Sequence, residues 1–169
     1  LLEIAEEADA TLAGLREEFE GKSAIVRGFV RAIDDELLRK AKRPQPGDGP
    51  RDALFEVIMA RLDLLGPYKP AVRSIFRAMD PDLAMVRTAL ASQHWMLQAA
   101  GVETHGASGT VRTLGLTSLY DSVLRTWLDD EDPGMARTMA ALDRRLRRGE
   151  RNLKALDDVC GTVSGFARQ

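Results

Sequence analysis

An all-α fold follows from three features of the sequence. Apolar residues recur three and four positions apart, most cleanly at Ile25, Phe29, Ile33 and Leu37. Alternation of period two is scarce, and aromatic residues make up only 5% of the chain, which disfavours strands. Pro and Gly fall between the apolar stripes rather than within them, as helix boundaries require. At 169 residues the chain is long enough for one domain with a real core, or one domain with a small appendage.

Taken in order, Leu1, Leu2, Ile4, Ala5 and Ala8 share one helical face. The segment ADAT then makes a short turn, and Thr11 is suited to N-cap a second short helix carrying Leu15 and Phe19. EGK breaks the pattern before the stripe from Ile25 to Leu37. KRPQPGDGP, residues 42–50, cannot continue a helix and reads as a linker. Phe55, Ile58, Met59, Leu62 and Leu65 form the next stripe, stopped by Gly66 and Pro67. Pro70 suits the first turn of a helix with Val72, Ile75, Phe76 and Met79. Asp80 and Pro81 predict a cap-then-proline start for a helix with Leu83, Val86, Leu90 and Leu97, ended by Gly101. ETHGASG reads as a loop. Val111, Leu114, Leu119, Val123 and Trp127 mark a long helix that ends in DDED. Asp132 and Pro133 predict a second cap-then-proline start, before Met135, Met139, Leu142 and Leu146. The expectation is eight or nine helices.

Composition narrows the function classes. The formal net charge is −2, with 44% hydrophobic and 30% charged residues, so bulk charge announces neither a nucleic-acid nor an anionic-membrane partner. The single cysteine, Cys160, rules out an intrachain disulfide and a cysteine-based metal site. No apolar run approaches a membrane-spanning length and no signal peptide is visible, so a soluble, cytoplasmic protein is expected. His94 and His105 have no metal-ligand spacing, and no nucleophile, base and orienting group can be assembled. A non-enzyme without a cofactor is the expectation.

Short helix, tight turn, short helix is a helix-turn-helix layout. IAEEADATLAGLREEFEGKSAIVRGFV resembles the second, third and fourth helices of TetR-type bacterial transcriptional regulators, with Ile4, Ala5, Ala8, Thr11, Leu15, Phe19 and Lys22 at the matching positions. The resemblance covers roughly residues 1–30. It implies a TetR-like chain whose helix-turn-helix head and connecting helix occupy residues 1–42, the head's first helix lying outside the sequence. DNA contact would fall to Thr11, Leu12, Arg16 and Lys22. Against that, residues 1–28 hold seven acids and three bases, a local charge of −4 that would repel phosphate.

Residues 50–152 would then be a larger helical domain for ligand binding and dimerisation. RDALFEVIMARLDLLGPYKP, HWMLQAAGV and the run from Val111 through SLYDSVLRTWLDDEDPGMARTMAALDRRL resemble the lipid-binding accessory protein family of ubiquinone biosynthesis, which has a TetR-like fold with a non-functional head. Both resemblances imply an apolar pocket between helices, one that the second would fill with lipid, for which Phe55, Met59, Phe76, Met79, His94, Trp95 and Leu97 are the candidates. Plain core packing is the alternative for each, and a hydrogen-bonded role is the alternative for His94. The TetR resemblance also implies a two-fold four-helix interface between two copies, with Gly115, Ser118, Ser122, Ala136 and Ala140 as the small residues that allow close approach. RRLRRGER, residues 144–151, reads as a solvated basic face. A tail helix, residues 153–169, would dock on its own domain or touch a membrane surface. Two functions stay open: a ligand-responsive DNA-binding regulator, and a lipid-binding accessory protein with a vestigial head.

Overall fold

The computed structural model describes residues 1–42, 44, 47, 49–78 and 81–166, with side chains through Leu153. The described residues form eight α-helices and one 3-10 turn, with no strand. In order these are α1 (Leu2–Glu7), α2 (Leu12–Glu18), α3 (Lys22–Lys40), α4 (Pro50–Leu65), the 3-10 turn (Gly66–Tyr68), α5 (Lys69–Ala78), α6 (Leu83–Ala99), α7 (Gly106–Leu128) and α8 (Ala136–Phe166).

The first two helices are built on small local devices. Asp9 takes a left-handed conformation (φ 50°) between α1 and α2, one that a short polar side chain tolerates. Thr11 caps α2 as its sequence position predicts, its Oγ1 accepting from Gly14 N at 3.0 Å. Of α1, only Ala5 is buried. Phe19 is extended after α2, and its ring lies against α3 at Gly28, where an added Cβ would sit 3.0 Å from Phe19 Cε1.

The core belongs to the larger helices. Ile33 and Leu37 of α3 meet Leu54, Val57, Ile58, Leu62 and Leu65 of α4, which packs against α3, α6, α7 and α8. Met96, Leu97 and Ala100 close the core from the α6 side, and Leu116, Tyr120, Val123, Trp127 and Leu128 from α7. Leu142 and Leu146 of α8 complete it. Each set repeats at three- and four-residue intervals, so one face of each helix is removed from water. At about 25 cal/mol per Å² of apolar area, this burial is the main stabilising term. Val72 and Phe76 of α5 pack against the core from its edge.

Several boundaries differ from the expected ones. Asp80 lies outside the described residues, and α6 begins at Leu83 with Asp82 as cap, its Oδ1 accepting from Met85 N at 2.7 Å. Pro81 precedes that cap. The expected loop ETHGASG is shorter, because α7 starts at Gly106. The Asp132 and Pro133 pair stands in a turn before α8 rather than on its first turn, with Met135 at φ 51°. Asp132 still serves it, accepting from Gly134 N and Ala136 N, each at 3.1 Å. The helix α8 runs without a break through residue 152, so the stripe expected as a tail helix continues it; its side chains beyond Leu153 lie outside the described residues.

Gly109 shows why the α6–α7 connection can be tight. A Cβ there would fall 1.9 Å from the carbonyl oxygen of Thr104, so only glycine lets this turn of α7 close on the connection. Gly109→Ala is expected to destabilise the fold by about 1–3 kcal/mol in urea unfolding. Gly149→Ala, with open space around its Cβ position in α8, should instead stabilise it by about 0.5–1 kcal/mol.

Candidate functional site

Where α3, α4, α5, α6 and α7 come together they line a cavity of about 250 Å³ that is open to solvent on one side. Val26, Arg27 and Val30 contribute from α3, Arg61 from α4 and Phe76 from α5. Met85, Thr88, Ala89, Ser92 and Gln93 line it from α6, and Thr117, Tyr120, Asp121 and Leu124 from α7. Most of the wall is apolar, and the polar groups are few and gathered, as small-molecule sites are built.

A buried network forms one side of the cavity. Arg61 donates from Nε to Asp34 Oδ1 at 2.9 Å, and its Nη2 lies 2.9 Å from the same oxygen. Arg61 Nη1 donates to the Tyr120 hydroxyl, and Ser92 Oγ donates to Asp34 Oδ2. The four side chains come from four helices and all are buried. Burial disfavours the Arg61 charge, but Tyr120 and Asp34 outweigh it and hold the guanidinium pKa above its ordinary value. Burial pushes the Tyr120 phenol above its ordinary 10.0 against the opposing Arg61 charge, so it stays a protonated donor at neutral pH.

Gln93, next to Ser92, is only 3% exposed, and no protein group reaches its Oε1. Buried polar atoms without a partner are rare. On the solvent side, Asp121 pairs with Arg125 at 3.0 Å, and the Arg125 guanidinium stacks 4.6 Å from the Phe76 ring centroid. Towards the head, Arg27 Nη1 donates to Ser23 Oγ at 2.8 Å, and Ser23 Oγ donates to Asp82, the cap of α6. That tie holds the first turn of α3 to the first turn of α6, beside the cavity.

Of the residues that the sequence suggests for a pocket, this cavity includes Phe76. Phe55 and Met59 pack against the core on α4, and Leu97 is inside it. His94 is half-buried with its ring edge-on to Trp95, and Trp95 is 52% exposed. Met79 lies outside the described residues. Thr11, Leu12, Arg16 and Lys22 are all exposed on the head, with Glu17, Glu18 and Glu20 exposed beside them. On α7 and α8, Gly115, Ser118, Ala136 and Ala140 are exposed and Ser122 is half-buried; Val111, Leu114 and Met139 stand exposed on the same two helices.

Arg61, Asp34, Ser92, Gln93 and Tyr120 escape a search for motifs, but their register carries a signal. Arg61 follows Leu54 and Ile58 at helical spacing and precedes Leu65, so a cation occupies a core position. Such a charge needs a buried opposite partner. Asp34, between Ile33 and Leu37, supplies it.

A second cavity, about 240 Å³, lies at the α7–α8 turn between Lys69, Trp127 and Asp130. Its groups are engaged in holding the turn. Lys69 donates to the Asp130 carbonyl and sits 5.0 Å above the Trp127 ring, and Arg73 donates to the Leu128 carbonyl and to Glu131. Two cations thus meet the carbonyl end of α7. DDED is accordingly more than a solvated stretch: Asp130 is 4% exposed, and its Oδ2 accepts from Thr138 N and Oγ1 at 2.8 and 2.6 Å. Among the described residues no three acidic, histidine or cysteine side chains gather as metal ligands.

No model of a known protein family matches the chain, and a search of curated proteins finds no significant relative. The functional reading therefore rests on the residues themselves.

Two outcomes follow for stability. Asp34→Asn or Arg61→Met breaks a buried pair and is expected to cost about 3–5 kcal/mol in denaturant unfolding, much of it recovered in the Asp34→Leu/Arg61→Met double variant. Thr138 above all holds the Asp130 carboxyl below the ordinary 3.8. Its contribution is thus present above the unfolded-state pKa and lost as pH falls through the depressed folded value. Melting temperature should fall as pH drops below about 4, and Asp130→Asn should flatten that fall.

Proposed function

We propose that the chain is a TetR-type, ligand-responsive DNA-binding regulator, cytoplasmic and homodimeric, and acting as a repressor. The observation that carries this reading is the cavity lined by α3 to α7, joined to the head through one helix. The helix α3 lines the cavity with Val26, Arg27 and Val30, and on its other side receives Phe19 from the helix-turn-helix at Gly28. A ligand that prefers one placement of α3 would therefore prefer one placement of the head. That difference in affinity is what couples an effector to DNA.

In this reading Thr11, Leu12, Arg16 and Lys22 face the DNA. Thr11 keeps its hydroxyl proton for a phosphate, since its oxygen is the acceptor in the α2 cap. The exposed face of α7 and α8 that carries Val111, Leu114, Gly115, Ser118, Met139 and Ala140 would meet its counterpart on a second copy. Two heads would then read two half-sites.

The acidity of the head favours a second reading. With seven acids against three bases in residues 1–28, and Glu17, Glu18 and Glu20 exposed beside the DNA-facing positions, the head would be vestigial. The chain would then bind a lipid-like molecule as an accessory protein of ubiquinone biosynthesis does. Among the described residues no helix is long and apolar enough to cross a membrane, so membrane contact in that reading would be peripheral, through α8.

Fluorescence anisotropy with the DNA flanking its own coding sequence, across a salt series, separates the two. The regulator reading predicts saturable binding, preference over scrambled DNA and a steep negative salt slope. Arg16→Ala and Lys22→Ala should each weaken binding across all sequences and lower that slope by about one. Absence of binding even at low salt, with lipid co-purifying, supports the accessory reading.

A further inference from the structure

The orphaned amide of Gln93 narrows the kind of molecule the cavity would hold. Gln93 is 3% exposed, lines the cavity and leaves Oε1 without a protein partner. Leaving such an atom unmade costs roughly 1–3 kcal/mol, and a ligand that supplied the partner would recover it. Tyr120, on the facing helix α7, accepts from Arg61 and so has its own O–H proton free to donate.

Charge limits the choice further. Asp34 and Arg61 cancel, and Arg61 has Nε, Nη1 and Nη2 all engaged within the network. The other charged lining residues are one of each sign, and both are partnered, Arg27 by Ser23 and, at 3.8 Å, by Asp82, and Asp121 by Arg125. A charged ligand would therefore enter without a counter-charge, and that is costly in a mostly apolar site. A hydroxyl fits instead. It both donates and accepts, so it matches whichever end of the Gln93 amide faces it, and also the Tyr120 proton. The volume of about 250 Å³ exceeds the roughly 150 Å³ of a cavity that takes benzene, and is far more than one water fills.

We infer that the cavity binds an uncharged amphipathic molecule, a phenol or alcohol with a compact apolar body, whose hydroxyl pairs with Gln93 and Tyr120. This deepens the proposed function and rests on its reading of the cavity as the ligand site. Phe76, Met85, Ala89 and Leu124 receive the apolar body, and Gln93 decides the head group.

Calorimetric titration of the chain with three probes of one shape tests this. Para-ethylphenol should bind one site per chain at least about tenfold tighter than ethylbenzene or para-ethylbenzoate, the ratio that one well-made hydrogen bond supplies. Gln93→Leu removes the orphan while keeping the bulk. It should fold with an unchanged or higher melting temperature and bring the phenol to within about twofold of ethylbenzene. No phenol binding, the benzoate binding tightest, or an equal Kd in the native chain and Gln93→Leu would each overturn the inference. The readout is independent of DNA. Phenol binding without DNA affinity leaves this inference standing and removes the regulator; DNA binding without phenol binding does the reverse.

Discussion

The buried pair of Arg61 and Asp34 is the constraint on which the arrangement of helices depends. An apolar side chain at residue 61 would pack wherever the neighbouring helices left room. A guanidinium must find acceptors, and it finds them on α3 at Asp34 and on α7 at Tyr120. Asp34 in turn takes Ser92 of α6. One ion pair thereby fixes the relative position of four helices, in a way that a non-directional apolar core does not. The network is costly to break and adds less when intact, since much of its Coulomb energy offsets desolvation. Its role here is to specify one arrangement, and the cavity is a product of that arrangement.

The placement of α3 has the same origin. The helix α3 is held to α4 and α6 at Asp34, again to α6 at Asp82 through Ser23, and to the segment after α2 where Phe19 meets Gly28. These points lie along one continuous helix of 19 residues. The cavity-lining Val26 and Val30 therefore share one rigid element with the Asp34 and Gly28 contacts, with no loop between them. The α7–α8 turn is fixed separately, by Lys69, Arg73 and Asp130, so the exposed face of α7 and α8 has its own support.

What was legible in the sequence was what has a period. The stripes on α3, α4, α7 and α8 and the Thr11 cap come from local spacing and local chemistry, and both are written in consecutive residues. The starts of α6 and α8 were less legible, because more than one aspartate precedes each and spacing alone does not say which one serves the helix. At α6, Asp82 beyond Pro81 caps the helix; at α8, Asp130 reaches Thr138 from eight residues away. The network was invisible to motif reading because its members lie 27, 58 and 59 residues apart. The family resemblances imply Trp95 and Phe55 as pocket residues, whereas helix rotation turns Trp95 to solvent and sets Phe55 against the core. Which face of a helix looks inward is read more safely from the register of buried neighbours than from the side chain's own character.

Native-state hydrogen exchange along α3 tests whether the Asp34–Arg61 network holds the helices together. If the Asp34–Arg61 network joins α3 to the core, the amides around Ile33 to Leu37 will exchange only through the same opening as those of α4 and of α7 near Tyr120, at one common free energy. In Arg61→Met the α3 amides should then separate from the rest and open first. Should α3 already exchange through a lower-energy opening of its own in the native chain, the network does not hold these helices together.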